Sequence, residues 1–243
     1  MEVTAQPAPL VEGHELYRFF HIGDDETFAL RGVTVSVRAG ELVAVIGPSG
    51  SGKSTLLACL AGLDEPDGGH VMIAGKRLTR RDEPMRAALR ARWIGMLMQS
   101  GNLLEHLTVT QNIQTAQALA ARARRRGAGS EAGRDGNGAR RLDPHELLAG
   151  VGLAERASAR PSTLSGGEAA RAGLAVAMAN DPPVLLADEP TGEVDRQGEI
   201  GVLDLLRRRA DRGKAVLVVT HSETVAAAAD RVVRMVDGRI VNE

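Results

Sequence analysis

A chain of 243 residues is long enough for one large core, or for a core with a smaller lobe inserted into it. A net charge of −1 and a pI near 6.6 remove any general electrostatic drive toward nucleic acid, and no such partner is expected. The lone cysteine, Cys59, excludes an internal disulfide, and no run approaches the roughly 18 apolar residues of a membrane helix; the expectation is a cytosolic chain that reaches any membrane through a partner.

Residues 1–10 contain prolines and no periodicity, so a disordered tail is expected there. Residues 12–20 read as an edge strand, and Gly23-Asp24-Asp25 as a turn. Valines alternating with Thr34 and Ser36 over 33–37 mark a second strand, which gives a hairpin-like β-lobe. Phe20 stands out among so few aromatics: a ring just upstream of a phosphate loop can stack on a nucleotide base, and it can equally be an ordinary core residue.

LVAVI at 42–46 is β-branched and apolar, as a buried parallel strand should be, and KSTLLACLAGL from Lys53 reads as a helix. Between them GPSGSGKST has the form G-x-x-x-x-G-K-[ST], in the strand and helix context that this motif requires. Gly47, Gly50 and Gly52, with Pro48, Ser49 and Ser51 between them, let the loop wrap with its amides inward, and the helix N-terminus adds partial positive charge. Lys53 then reaches the β- and γ-phosphates while Ser54 ligates Mg²⁺, so a nucleoside triphosphate is the expected ligand. Cys59, inside the helix, is read as a small buried hydrophobe.

Further on, Asp67-Gly68-Gly69 reads as a turn, 70–73 as a short strand, Gly75-Lys76 as another turn and 85–93 as a helix. The apolar strand 94–98 ends at Gln99, at the sheet edge where ligand contacts collect in α/β folds. A helix over 108–123 leads into an arginine- and glycine-rich run whose centre, 127–138, is expected to be a flexible loop. It reads as a solvated linker or as a contact for an anionic partner such as lipid headgroups. After a short helix at 143–151 and a break at Pro161, LSGGE at 164–168 opens an alanine-rich helix. Ser165 is a good N-cap there, and Gly166 and Gly167 leave amides bare, so this is a second potential anion site. VLLADE at 184–189 is a strand ending in Asp188 and Glu189, ahead of a Pro190-Thr191-Gly192 turn. Opposite a phosphate loop, two carboxylates suit metal binding and water activation. A helix at 197–211, a buried strand ending at His221 and a hairpin at 231–241 around Asp237-Gly238 close the chain.

In order, GPSGSGKST, Gln99, LSGGE, VLLADE, the turn through Asp195 and His221 resemble the ATP-binding cassette (ABC) ATPase family over 12–241. The wording ADEPTG and FHIGDDETFAL is similar to its macrolide-exporter and lipoprotein-release group. The resemblance implies an α/β phosphate-loop NTPase core with a mixed, mainly parallel sheet, an N-terminal antiparallel β-lobe and an inserted helical lobe at 86–162 with the start of the signature helix. It also implies a head-to-tail homodimer, in which LSGGE of one subunit closes over ATP held by the other. Carried over to this sequence, Phe20 stacks on adenine, and Lys53, Ser54 and Thr55 hold phosphates and Mg²⁺. Gln99 completes the metal and water shell and signals to a membrane partner, Asp188 holds Mg²⁺ through water, and Glu189 orients and deprotonates the attacking water. Ser165 and Gly167 bind the γ-phosphate across the dimer, with Gly166 and Glu168 in the same turn; Asp195 bridges the subunits and His221 contacts the γ-phosphate.

The implied setting is the cytoplasmic face of a membrane, on an integral-membrane permease whose transport the ATPase powers. Within the same group, the alternative is an ATPase that works a signalling or cell-division complex without moving a substrate. The sequence departs from the family wording at Glu168-Ala169-Ala170, where amide side chains are usual, at Val176, where an arginine is usual, and at Gly101, where an aromatic is usual. None of these departures removes a catalytic group.

Overall fold

Two sheets organise the chain in a computed structural model, which describes residues 8–22, 25–126, 140–192 and 194–242. The Gly23-Asp24 turn, the 127–138 loop and residues 1–7 of the expected tail lie outside the described residues. In the first sheet β1 (Val11–Ile22) pairs antiparallel with β2 (Asp25–Val37), and β4 (Gly68–Ile73) and β5 (Lys76–Arg77) extend it in the order β2-β1-β4-β5. β2 runs well ahead of the expected 33–37, because the ladder with β1 already pairs Ile22 with Asp25 and carries residues 25–32 into the strand, the buried Leu30 among them. The tail expectation fails at Leu10: its N–H donates to the Val37 carbonyl at 2.9 Å, and its own carbonyl accepts from the Ala74 N–H at 2.8 Å. Gly68 and Gly69 belong to β4 rather than to a turn. Gly69 sits at φ +81°, and a Cβ there would lie 2.3 Å from the carbonyl oxygens of His14 and Glu15, where β1 shifts register, so only glycine fits the bulge.

The second sheet has the order β10-β9-β3-β8-β7-β6. β3 (Leu42–Ile46), β6 (Ile94–Leu97), β7 (Val184–Asp188), β8 (Ala215–Val219) and β9 (Arg231–Val236) run parallel; β10 (Arg239–Asn242) returns antiparallel to β9. β7 and β8 are buried over their full length, as continuous apolar runs covered on both faces must be. One apolar cluster fills the space between the sheets around α1 (Lys53–Leu60), with α2 (Glu83–Trp93) at its edge. A second, on the far face, gathers α3 (Val109–Arg126), α4 (Pro144–Gly150), α5 (Gly166–Met178) and α6 (Arg196–Asp211).

Helical bounds differ from the sequence reading mainly at α3, which was expected to end at residue 123. α3 continues through Arg124, Arg125 and Arg126, residues with good helix propensity whose charge suits a helix C-terminus, and Arg124 Nη1 donates to the Ala91 carbonyl at 3.0 Å. The five-residue α7 (Glu223–Ala227) and the two-residue β5 were not expected. The 86–162 span is not wholly helical, because β6 within it is a strand of the parallel sheet. Buried Gln117 ties the helices beyond β6 to the core, with Nε2 donating to the carbonyls of Leu142 at 2.7 Å and Ala179 at 3.0 Å. Because β3, β6, β7 and β8 are parallel, their carboxyl ends open on one edge, and the segments that follow them meet in one crevice.

Candidate functional site

Backbone crowding shapes the phosphate loop. Gly47 has φ +157°, and a Cβ on it would lie 2.1 Å from the Met235 carbonyl oxygen of β9; Gly52, at φ +96°, faces the Ala29 carbonyl of β2 at the same 2.1 Å. Gly52 is the N-cap of α1 and offers no capping side chain, so the helix N-terminus opens onto the loop. Lys53 Nζ curls back to donate to the carbonyls of Gly47 and Pro48, both at 2.9 Å, and the Ser51 hydroxyl is buried without a partner. Pro48, Ser49, Gly50 and Ser54 are exposed on the crevice side, and Thr55 is half-buried.

Asp188, at the end of β7, is 6% exposed, and its Oδ1 has no hydrogen-bond partner. Burial pushes its carboxyl above the usual range; the Ser54 hydroxyl bonded to it and the Lys53 charge pull against that, while the Glu189 charge adds to it. An orphaned, desolvated carboxylate oxygen beside a serine hydroxyl is a donor set that a hard divalent cation fits. Glu189 adopts φ +46°, a left-handed conformation rare for glutamate, held by its N–H donating to the Val219 carbonyl at 2.8 Å. Its carboxylate is bonded twice to His221, with Oε1 2.9 Å from the ring Nδ1 and Oε2 accepting from the backbone N–H at 3.3 Å. In this structure, therefore, the imidazole holds the carboxylate.

Gln99 is exposed and lines a cleft of about 230 Å³ with Gly101, Asn102, Gly166, Ala169 and Glu189. Asn102 was missed in the sequence, yet it pins the turn ahead of Gln99: its Oδ1 accepts from the Met98 N–H at 2.7 Å and its Nδ2 donates to the Met98 carbonyl at 2.6 Å. Phe20 is 38% exposed, so the core reading is corrected. Its ring lies 4.6 Å beneath the Arg18 guanidinium, which is anchored to Asp64 and Asp67.

The LSGGE turn opens α5. The Ser165 hydroxyl accepts from the Glu168 N–H at 3.3 Å, and Glu168 accepts in return from the Ser165 N–H at 2.9 Å, a capping box. Glu168 also pairs with Arg156 at 2.8 Å, and the Ser165 amide first, then Arg156, hold its carboxyl below the usual range. Its carboxylate is thus shared between the N-terminal cap of α5 and Arg156. Ser165, Gly166 and Gly167 share an open groove of about 420 Å³ with Arg171, Asp195 and Gly198. Asp195 caps α6 through a bond from the Gly198 N–H at 2.8 Å.

Residues 30–192 match the ABC transporter family. The chain belongs to that family. As an ABC cassette it is an ATP-binding ATPase, and its relatives give the finer placing. The macrolide export ATP-binding/permease protein MacB of Shigella flexneri is 38% identical over 233 residues, 96% of this chain. MacB of Hyphomonas neptunium is 38% identical over 235 residues, 97% of it. In each case the chain spans 34% of the relative, about a third of the length of these curated proteins. The ATP-binding cassette MJ0796, solved as a dimer in a post-hydrolysis state bound to ADP and Pi, matches with a TM-score of 0.81 at 32% identity, covering 96% of this chain and 97% of that one. A second dimeric MJ0796 structure matches with a TM-score of 0.80 and the same coverage. No helix among the described residues of the cassette is long and apolar enough to cross a membrane.

Proposed function

We propose that this ABC cassette hydrolyses Mg·ATP in the crevice at the strand ends, pairs head to tail with a second copy and drives an integral-membrane permease in export. It would sit on the cytoplasmic face of the membrane, held there by the permease. The observation that carries the chemistry is Asp188: a buried carboxylate oxygen without a partner, beside Ser54 and Lys53 and one residue from a carboxylate held by His221. The export reading is supported by similarity to the MacB proteins along nearly the whole chain.

Lys53 leaves the Gly47 and Pro48 carbonyls for the β- and γ-phosphates, exchanging two neutral acceptors for charged ones. The amides of the loop and of the α1 N-terminus take the remaining phosphate oxygens, with Thr55 beside them, and Phe20 offers its ring to the base. Ser54, Gln99 and, through water, Asp188 would hold Mg²⁺, which supplies charge neutralisation on the phosphate oxygens. Glu189 orients the attacking water and accepts its proton, and His221 fixes where that carboxylate points before contacting the γ-phosphate. The groove with Ser165, Gly166 and Gly167 meets the γ-phosphate of the partner's nucleotide, Glu168 acting there through the helix cap, and Asp195 bridges the subunits. In this reading each chain supplies half of two sites.

Glu189→Gln tests it, because the amide keeps the shape but cannot accept the proton. The expected result is ATP binding with hydrolysis lowered about a thousandfold and an ATP-dependent dimer on gel filtration. Wild-type turnover in this variant would remove Glu189 from the chemistry, and an ATP-bound monomer would remove the head-to-tail dimer for the isolated cassette.

A further inference from the structure

The His221 ring is 74% exposed, so packing does not fix it and its place depends on its backbone. That backbone is anchored from α6. The Ser222 hydroxyl, adjacent to His221, donates to Glu199 Oε1; the same hydroxyl accepts the Val225 N–H at 3.3 Å as the cap of α7, and the Ser222 N–H donates to Thr220 Oγ1 at 3.0 Å. Glu199 is one turn into α6, where its own N–H donates to the Asp195 carbonyl at 2.9 Å. A chain of contacts therefore runs from Asp195 in the Ser165 groove, through Glu199 and Ser222, to His221 and the Glu189 carboxylate.

We propose that Glu199 is a positioning residue for ATP hydrolysis, setting the 220–222 loop so that His221 holds Glu189. The inference rests on the roles proposed above for Glu189 and His221. A hydroxyl-to-carboxylate bond is charge-assisted and directional, and an acid in the first turn of α6 is favoured by the helix N-terminus, so this anchor is stiff at both ends. Because Glu199 shares the first turn of α6 with Asp195, a displacement of that turn by a second subunit is carried to the water-activating carboxylate as a rigid movement. Geometric coupling of this kind alters turnover, because the carboxylate matters when the water attacks, and leaves ATP affinity nearly untouched. The competing role is purely structural: a first-turn acid and a helix cap that stabilise α6 and α7. It would change melting temperature without changing kcat.

The test measures kcat and KM for ATP, fluorescent-nucleotide affinity and melting temperature for the full chain and its variants. Glu199→Ala is expected to lower kcat about tenfold with KM within about twofold of wild type. Glu199→Gln keeps an acceptor for the Ser222 hydroxyl and is expected to restore most of that loss. Ser222→Ala is expected to match Glu199→Ala in kcat, and the double variant to be no worse than either, since both remove the Ser222–Glu199 bond; the α7 cap that Ser222→Ala also removes is read by melting temperature. A kcat for Glu199→Ala within about twofold of wild type, or additive losses in the double variant, overturns the proposal. The same holds if Glu199→Gln loses as much turnover as Glu199→Ala. Lys53→Ala run alongside separates the two levels of the argument: if it stays active the phosphate-loop reading falls, and if it is dead while Glu199→Ala is normal only the positioning role falls.

Discussion

The phosphate-loop end and the LSGGE end of this molecule are both helix N-termini that present glycines, and they are built in opposite ways. At the first, backbone carbonyls from β2 and β9 close on Gly52 and Gly47 so tightly that no side chain fits, and Asp188 sits on a buried strand end. At the second, exposed side chains do the work: Ser165 and Glu168 cap each other, and a Cβ on Gly167 would meet nothing nearer than Arg171 Nη1 at 3.5 Å. The difference teaches that, in the function proposed above, one half-site would be finished by folding, whereas the other is a shaped surface that would become a site when a nucleotide is brought to it.

The sharpest way to break that comparison is at Asp188. A carboxyl whose folded pKa is raised favours the fold at low pH and loses that contribution as pH rises through the raised value, so at neutral pH the ionised group works against folding. Asp188→Asn is expected to abolish hydrolysis, about a thousandfold or more, while raising nucleotide-free stability by about 0.5–1 kcal/mol once solvent at the crevice mouth is allowed for. ATPase assays and thermal melts read this, and the stability gain is expected to shrink as pH is lowered. A melting temperature below wild type at pH 7 would mean that the carboxylate is structural.

Next in size is the glycine pair. Gly52→Ala places a Cβ against the Ala29 carbonyl at positive φ and is expected to cost about 2–4 kcal/mol with loss of nucleotide binding. Gly167→Ala is expected to leave melting temperature and monomer nucleotide binding unchanged and to lower only the ATP-driven dimer. Equal behaviour of the two variants in calorimetry would erase the contrast. Ser165→Ala is smaller still: loss of the cap is expected to cost about 1 kcal/mol in chemical denaturation without affecting monomer ATP affinity. Smallest is Cys59, which should not react. Burial pushes its thiol up to about 12, and thiol reagents at pH 8 are expected to label it only as fast as the chain unfolds.

Strands β3, β6, β7 and β8 were legible because each is a mainly apolar run, and the loops after them stood out because GPSGSGKST, VLLADE and His221, taken in order, resemble the wording of the ABC family. What escaped was made by contacts between distant residues. β2 opens on three polar residues, Asp25, Glu26 and Thr27, that show no alternation and pair with β1, and β5 and α7 are too short to show a period. Asn102 is bonded twice to Met98 and Glu199 once to Ser222, and neither leaves a local pattern in sequence. Leu10 escaped for the same reason, since its partners Val37 and Ala74 lie far along the chain.

The phosphate loop leans on the far end of the chain. The Gly238 N–H donates to the Ser51 carbonyl at 3.1 Å, the Gly238 carbonyl accepts from the Arg31 N–H at 2.8 Å, and Met235 supplies the carbonyl that crowds Gly47. A ribosome makes residues 47–55 long before it makes these braces. While the nascent chain lacks the hairpin of β9 and β10, the loop has strand and helix on either side but none of the contacts that Met235 and Gly238 supply. The braces are thus added near the end of synthesis of the cassette, well after the loop that they support.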